Sequence, residues 1–357
     1  MKEKICLLIA VIASSVYFTA FFLEESSPKT DRNPPVISPV STAGMLENEV
    51  NNINIYNATA PSVVNVTAIK QSRGLFSSID EPSGGSGFVW DKQGHIVTNY
   101  HVISNARVFI TLKDNNKQYE AKVVGMAPRK DIAILKIDAP EELLHPIKPG
   151  SSTNLLVGQK TLALGNPFGL DHTLTTGIIS ALNRKIDGAG GVEIHGIIQT
   201  DASINPGNSG GPLLDSRGNL IGMNTAIISN SGSSAGLGFA VPADTIKNIV
   251  PQLIEHGKEI RPALGIVPDQ RIRLNRGLAI KVVVSKAAKD AGLRGITRDN
   301  WGRLYIGDII TEINGKEINS YNDLYHCLEQ YKIGDEVSVT YFRGRNKLST
   351  KLTLESN

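Results

Sequence analysis

The chain has 357 residues, 41% hydrophobic and 20% charged, which is a globular composition too long for one ordinary domain, so two folded domains are expected. Its net charge of +3, with no basic run or aromatic-basic stripe, speaks against a nucleic-acid partner. Its two cysteines, Cys6 and Cys327, lie far apart in sequence and exclude a disulfide framework or a cysteine metal cluster.

Lys2 and Lys4 precede an uncharged run, Ile5 to Leu23, which Glu24 and Glu25 close. This length just spans a bilayer, so residues 5–23 are read as a signal anchor, with residues 1–4 left in the cytoplasm. A cleaved signal peptide is the alternative, although Phe18-Thr19-Ala20 puts a bulky residue where a small one is preferred. Either way the remainder is exported. Residues 24–51 are rich in Ser, Pro, Thr and Asn and read as a flexible linker.

Short strands follow, starting at Val63 to Thr67. Gly87 to Trp90 and His95 to Thr98 flank the turn Asp91 to Gly94, a hairpin pattern. Further strand runs lie at Val108 to Leu112, Ala121 to Gly125, Ile132 to Ile137, Thr161 to Leu164 and Thr173 to Ser180. This spacing predicts antiparallel barrels or a sandwich. Ile246, Ile249, Val250, Leu253 and Ile254 have helical spacing closed by Gly257, and Pro251 is expected to kink or shorten that helix. The first domain is drawn at 52–260. A compact mixed domain occupies 261–357, with a strand at Gly277 to Val284 and a polar insertion at Arg294 to Arg303. A helix from Tyr321 to Gln330 follows, capped by Asn319 or Ser320, and then a tail with Leu348, Leu352 and Leu354 on one face.

The chemistry centres on Gly207-Asn208-Ser209-Gly210-Gly211. A serine between glycines exposes its hydroxyl, and flexible neighbours can turn backbone N–H groups toward one point, as an oxyanion hole requires. A serine needs a base, and the base needs an orienting carboxylate. Of seven histidines, His101 stands out because it follows a strand directly. The carboxylate candidate is Asp131, just before the apolar run Ile132 to Leu135; Asp138, Asp171 and Asp201 are rivals. The order His101, Asp131, Ser209 is one of the known orders for such a triad.

Thr98 to Val102, Asp131 to Ala133, Gly165 to Gly169 and Gly207 to Leu213 resemble the motifs of the HtrA/Deg serine proteases. Ala263 to Leu354 resembles the PDZ domain that follows the protease in that family. Phe88 to Val102, Asp171 to Gly177 and the polar insertion are especially similar to the chloroplast-lumen Deg protease. The resemblance implies a mainly β fold, a chymotrypsin-like double β-barrel followed by a PDZ domain. It implies a serine endopeptidase with Ser209 as nucleophile, His101 as base, Asp131 as orienting acid, and Gly207, Asn208 and Ser209 forming the oxyanion hole. Ile227 and Ile228 are candidates for an apolar substrate pocket, and Ala263-Leu264-Gly265-Ile266 for the PDZ peptide-binding loop.

Unfolded or misfolded proteins are the expected substrates of an ATP-independent quality-control protease, C-terminal peptides the expected PDZ ligands, and a homotrimer or larger oligomer the expected assembly; a stress-sensing protease that cleaves one membrane regulator, or a chaperone or scaffold with secondary proteolysis, is the alternative function. The loops Asn166 to Thr176, Arg184 to Gly196 and Asn224 to Gly236 are expected to rearrange on activation. No cofactor or metal is expected, because the sequence has neither a P-loop nor a Cys/His cluster. The N-terminus lacks an Arg/Ser-rich transit peptide, which points to a bacterial cell envelope. The chain is then anchored in the inner membrane with both domains in the periplasm, or soluble there after signal cleavage.

Overall fold

The computed structural model describes Thr42 and residues 44–73, 78–104, 106–115, 117–167, 172–187, 193–225, 236–269, 271–272 and 274–357. The expected anchor lies outside these residues. So do Ile227 and Ile228 and the centres of the three loops expected to rearrange. Met1–Leu46 and Glu47–Asn357 are separate units, and the second carries both barrels and the C-terminal domain.

This second unit begins with helix α1 (Glu47–Thr59), so the stretch read as linker ends earlier, with Glu47 to Asn51 already helical. The helix is polar, but Ile55 is buried in the core between the barrels, and that contact overrides the linker-like composition. The first barrel contains β1 (Val63–Arg73), β2 (Ser78–Val89), β3 (His95–Thr98), β4 (Arg107–Thr111), β5 (Gln118–Ala127) and β6 (Ile132–Lys136). Its closed order is β1-β2-β3-β6-β5-β4. The expected hairpin is present, with Phe88 opposite Val97 and Val89 opposite Ile96. Asp91 Oδ1 closes its turn by accepting from the Gln93 and His95 N–H groups at 3.0 and 3.1 Å.

The second barrel contains β7 (Lys160–Gly165), β8 (Thr173–Asp187), β9 (Glu193–Thr200), β10 (Pro212–Leu214), β11 (Leu220–Thr225) and β12 (Gly238–Pro242). It closes as β10-β11-β12-β9-β8-β7. Between β3 and β4 lies the one-turn helix α2 (Tyr100–Ile103). A single apolar core runs between the barrels, from Phe88, Val97 and Ile134 to Leu162, Ile197 and Met223. Helix α3 (Ala243–His256) seals it with Ile246, Ile249, Val250 and Leu253, and runs on through Pro251. The expected shortening does not occur. Burial of four apolar side chains, at about 1.5–3 kcal/mol each, is larger than the roughly 3 kcal/mol cost of an interior proline.

The C-terminal domain comprises β13 (Pro262–Ala263), β14 (Ile266–Pro268), β15 (Leu278–Val283), α4 (Lys286–Asp290), β16 (Thr297–Arg298), β17 (Leu304–Tyr305), β18 (Asp308–Ile313), β19 (Lys316–Glu317), α5 (Tyr321–Leu328), β20 (Glu336–Arg343), β21 (Asn346–Thr353) and β22 (Glu355–Ser356). The main sheet runs β14-β15-β18-β20-β21, and the polar insertion forms the small β16–β17 pair. Ser320 caps α5 through a 3.1 Å bond from the Asp323 N–H. In the tail, Leu352 and Leu354 are buried while Leu348 is exposed, so the apolar face ends before the β20–β21 turn.

Asp308 is fully buried and holds this domain's sheet end. Arg343 Nε and Nη2 donate to its carboxylate at 2.7 and 2.9 Å, and the Arg294 N–H donates at 2.7 Å. Removing one partner strands the other charge. We expect Asp308→Ala to destabilise the C-terminal domain by about 3 kcal/mol, read as an earlier transition in urea.

Candidate active site

Asp131 follows the 3₁₀ turn Pro128–Lys130 and has left-handed backbone angles, φ 54°. Such a conformation costs a non-glycine residue roughly 1–2 kcal/mol. Bonds from three directions offset it. The Asp131 carbonyl accepts from the Asn99 side chain at 3.0 Å and the Tyr100 N–H at 3.2 Å. Its carboxylate accepts from the His101 N–H at 3.0 Å and from the Thr225 hydroxyl at 2.8 Å. Asp131 is 3% exposed, so these bonds act with little competition from water.

The same carboxylate faces the His101 ring, with Nδ1 2.8 Å from Oδ2 and 3.0 Å from Oδ1. An acceptor on that side keeps the proton on Nδ1 and leaves the Nε2 lone pair to face outward, the tautomer a general base needs. About a third of the ring is exposed, which gives a substrate access to it.

The serine loop joins β9 to β10 and is pinned to both barrels. Ser209 is buried, and its carbonyl accepts from the Ser86 N–H at 2.7 Å. Gly210 donates to the Asn224 carbonyl at 2.9 Å, and Asn208 donates to the Asn205 carbonyl at 3.0 Å. The Gly210 φ is +85°, and any Cβ there would fall on the Ser86 carbonyl, so only glycine fits. Gly85 is the seam between the loop and the histidine helix. A methyl there would sit 2.8 Å from Val102 Cγ2 and 3.0 Å from the Ser209 carbonyl. The structure thus gathers the three sequence-predicted residues at one junction: His101 on α2, Asp131 before β6, and Ser209 across Gly85 from the residue following His101.

Two residues at this junction escaped the sequence reading. Thr225 comes from β11 to orient Asp131. Ser86 is fully buried; its hydroxyl donates to the Gly207 carbonyl at 2.5 Å and accepts from the Asn166 N–H at 2.7 Å. It ties the Gly165-to-Gly169 motif to the serine loop. The available signal was the run Ser83-Gly84-Gly85-Ser86-Gly87, which is glycine-rich for a strand. Of the rival carboxylates, Asp201 accepts from the Ile178 N–H at 2.6 Å, Asp171 lies outside the described residues, and Asp138 is exposed. Among the rival histidines, His95 pairs with Asp91 at 2.6 Å inside the hairpin turn.

In the C-terminal domain, Ala263 pairs with Glu355, and the Leu264 side chain is buried in the core. Ala263, Gly265 and Ile266 remain half-buried. The Gly265 carbonyl accepts from the Val284 and Ser285 N–H groups, and β14 forms the edge of the main sheet.

Two closed barrels with a histidine, aspartate and serine at their junction, followed by a PDZ-like sheet, define a trypsin-like serine endopeptidase with a peptide-binding module. Residues 85–223 match the trypsin-like peptidase domain, and residues 262–354 match the PDZ domain. Protease Do-like 1, chloroplastic, from Arabidopsis thaliana is 50% identical over 347 residues, 94% of this chain and 78% of that protein. The periplasmic serine endoprotease DegP of Escherichia coli is 37% identical over 284 residues, 76% of this chain and 57% of that protein. The solved HtrA-type protease AlgW with decapeptide superposes with a TM-score of 0.62 at 31% identity, covering 86% of this chain and 98% of that one. The chain belongs to the Deg/HtrA family of serine proteases.

The comparisons overturn the expected place in a bacterial inner membrane. The relative that is 50% identical is chloroplastic, and no helix among the described residues is long and apolar enough to cross a membrane. The expectation rested on hydropathy and flanking charge, which fit many targeting segments and specify no particular membrane.

Ser86→Ala leaves the Asn166 N–H and the Gly207 carbonyl without their buried partner. We expect a stability loss of about 1–3 kcal/mol by chemical denaturation, and casein turnover lowered on the order of tenfold. Unchanged turnover would separate Ser86 from the serine loop's geometry.

Proposed function

We propose that this chain is an ATP-independent endopeptidase of protein quality control, cutting unfolded or damaged proteins. Ser209 attacks the scissile carbonyl, His101 Nε2 takes its proton and returns it to the leaving amine, and Asp131 stabilises the imidazolium. The N–H groups of Gly207 and Ser209 bind the oxyanion, with Asn208 setting the turn; one such donor is worth about 3–4 kcal/mol. The observation that carries this reading is the His101–Asp131 pair, bidentate at 2.8 and 3.0 Å and braced by Thr225. The lack of a P-loop motif in the sequence supports ATP independence. The family resemblance supports a homotrimer.

The PDZ module is proposed to take C-terminal peptides as an added strand on β14, beside Ala263 to Ile266. One contact favours regulation by that peptide. Helix α5, the proposed second wall of the groove, also grips the turn before Asp131. The Arg129 guanidinium lies 4.0 Å from the Tyr321 ring centre and 4.5 Å from that of Tyr325, and Lys130 pairs with Glu329 at 2.5 Å. A peptide that shifts α5 therefore pulls on the residues next to the acid.

Ser209→Ala is expected to lower casein turnover by on the order of 10⁶-fold while leaving the fold intact. Digestion at the parent rate would refute the nucleophile assignment. With the parent, a peptide ending in apolar residues is expected to change the rate several-fold, and a rate indifferent to every such peptide would remove the regulatory reading.

A further inference from the structure

β9 begins with Glu193, and His195 follows two residues later on the same face of the strand. Glu193 Oε2 lies 3.0 Å from His195 Nε2. From the PDZ helix α5, His326 lays its ring on that of His195, centroids 3.5 Å apart and planes 18° from parallel. His326 Nδ1 lies 3.1 Å from Glu329 Oε2, so Nδ1 holds the proton and Nε2 keeps its lone pair. That Nε2 atom is buried and has no hydrogen-bond partner among the described residues. A buried acceptor with nothing to accept from is costly, and a bound cation would relieve it. The three donor groups lie within 4.8 Å of one another.

We infer that Glu193, His195 and His326 form a divalent-metal site, suited to zinc, that staples the second barrel to the PDZ helix. Two imidazole nitrogens and one carboxylate oxygen are a common zinc donor set, with water taking the fourth place. Glu329 behind His326 acts as the outer partner that fixes a ligating imidazole. The nearby cation Lys130 is already paired with Glu329. Tetrahedral zinc needs donors about 3.3 Å apart with in-plane lone pairs, so one ring must leave the stack. His195, 27% exposed, has room to turn. The sequence could not show this site, because its ligands come from two domains and follow no metal-binding spacing.

The test is calorimetric titration of the chelator-treated full chain with a zinc salt. One equivalent is expected to bind, raising the melting temperature. His326→Asn and Glu193→Gln are each expected to weaken binding at least tenfold, and Glu329→Gln less. Absence of a one-to-one isotherm, or equal affinity in the parent and these variants, overturns the site. If His326→Asn fails to fold, Glu193→Gln carries the same comparison from the barrel surface. None of these readouts depends on proteolysis.

Discussion

The candidate active site depends on one carboxylate. Asp131 carries a left-handed backbone where its side chain can reach the histidine, and four donors hold it there: Asn99, Tyr100, His101 and Thr225. They come from both barrels. The strain of roughly 1–2 kcal/mol is smaller than the sum of two bonds to the buried carboxylate, each worth about 1.5–3 kcal/mol, and two to the carbonyl, each worth about 0.5–1.5 kcal/mol. The geometry is therefore stable only when the barrels are closed and docked. A carboxylate held in this way reports on the assembly of the whole protease domain.

The serine loop meets a different constraint, that of space. Two barrels can bring a nucleophile to a histidine only if the backbones between them approach closely. Gly85 and Gly210 permit that approach, and Ser86 converts it into hydrogen bonds. Ser86 ties two loops at once because its N–H, carbonyl and hydroxyl are all in use: the N–H on Ser209, the carbonyl on Thr98 and the hydroxyl between Asn166 and Gly207. Removing Cβ atoms at some positions and placing one hydroxyl at another are two halves of the same solution.

These two constraints explain which residues were legible in the sequence. His101, Asp131 and Ser209 could be singled out as candidates because each has a distinctive local context: His101 after a strand, Asp131 before an apolar one, Ser209 among glycines. Strands and the β2–β3 hairpin were legible through alternation and turn chemistry. Thr225 and Ser86 were not, since a threonine at a strand end and a serine in a strand carry no signal until barrel closure brings them to Asp131 and Gly207. Pro251 misled for the same reason in reverse: a local penalty was weighed without the apolar face that α3 buries. The linker reading of Glu47 to Asn51 failed likewise, because Ile55 binds its helix to a core formed far along the chain.

The contact between protease and PDZ domain extends the logic of Asp131 outward. The turn that sets its backbone includes Arg129 and Lys130, and both are held by α5. Burial lowers the Arg129 proton affinity and raises that of Tyr325, the signature of polar groups packed together away from water. Arg129 lies against two tyrosine faces, Arg261 lies 4.7 Å from the Tyr325 ring centre, and Glu259 accepts from the Tyr325 hydroxyl at 3.2 Å. Desolvated cation–aromatic contacts are worth up to about 2 kcal/mol each. Helix α5 thus holds the Arg129–Lys130 turn, and from there to Asp131 the link runs through only two residues of backbone.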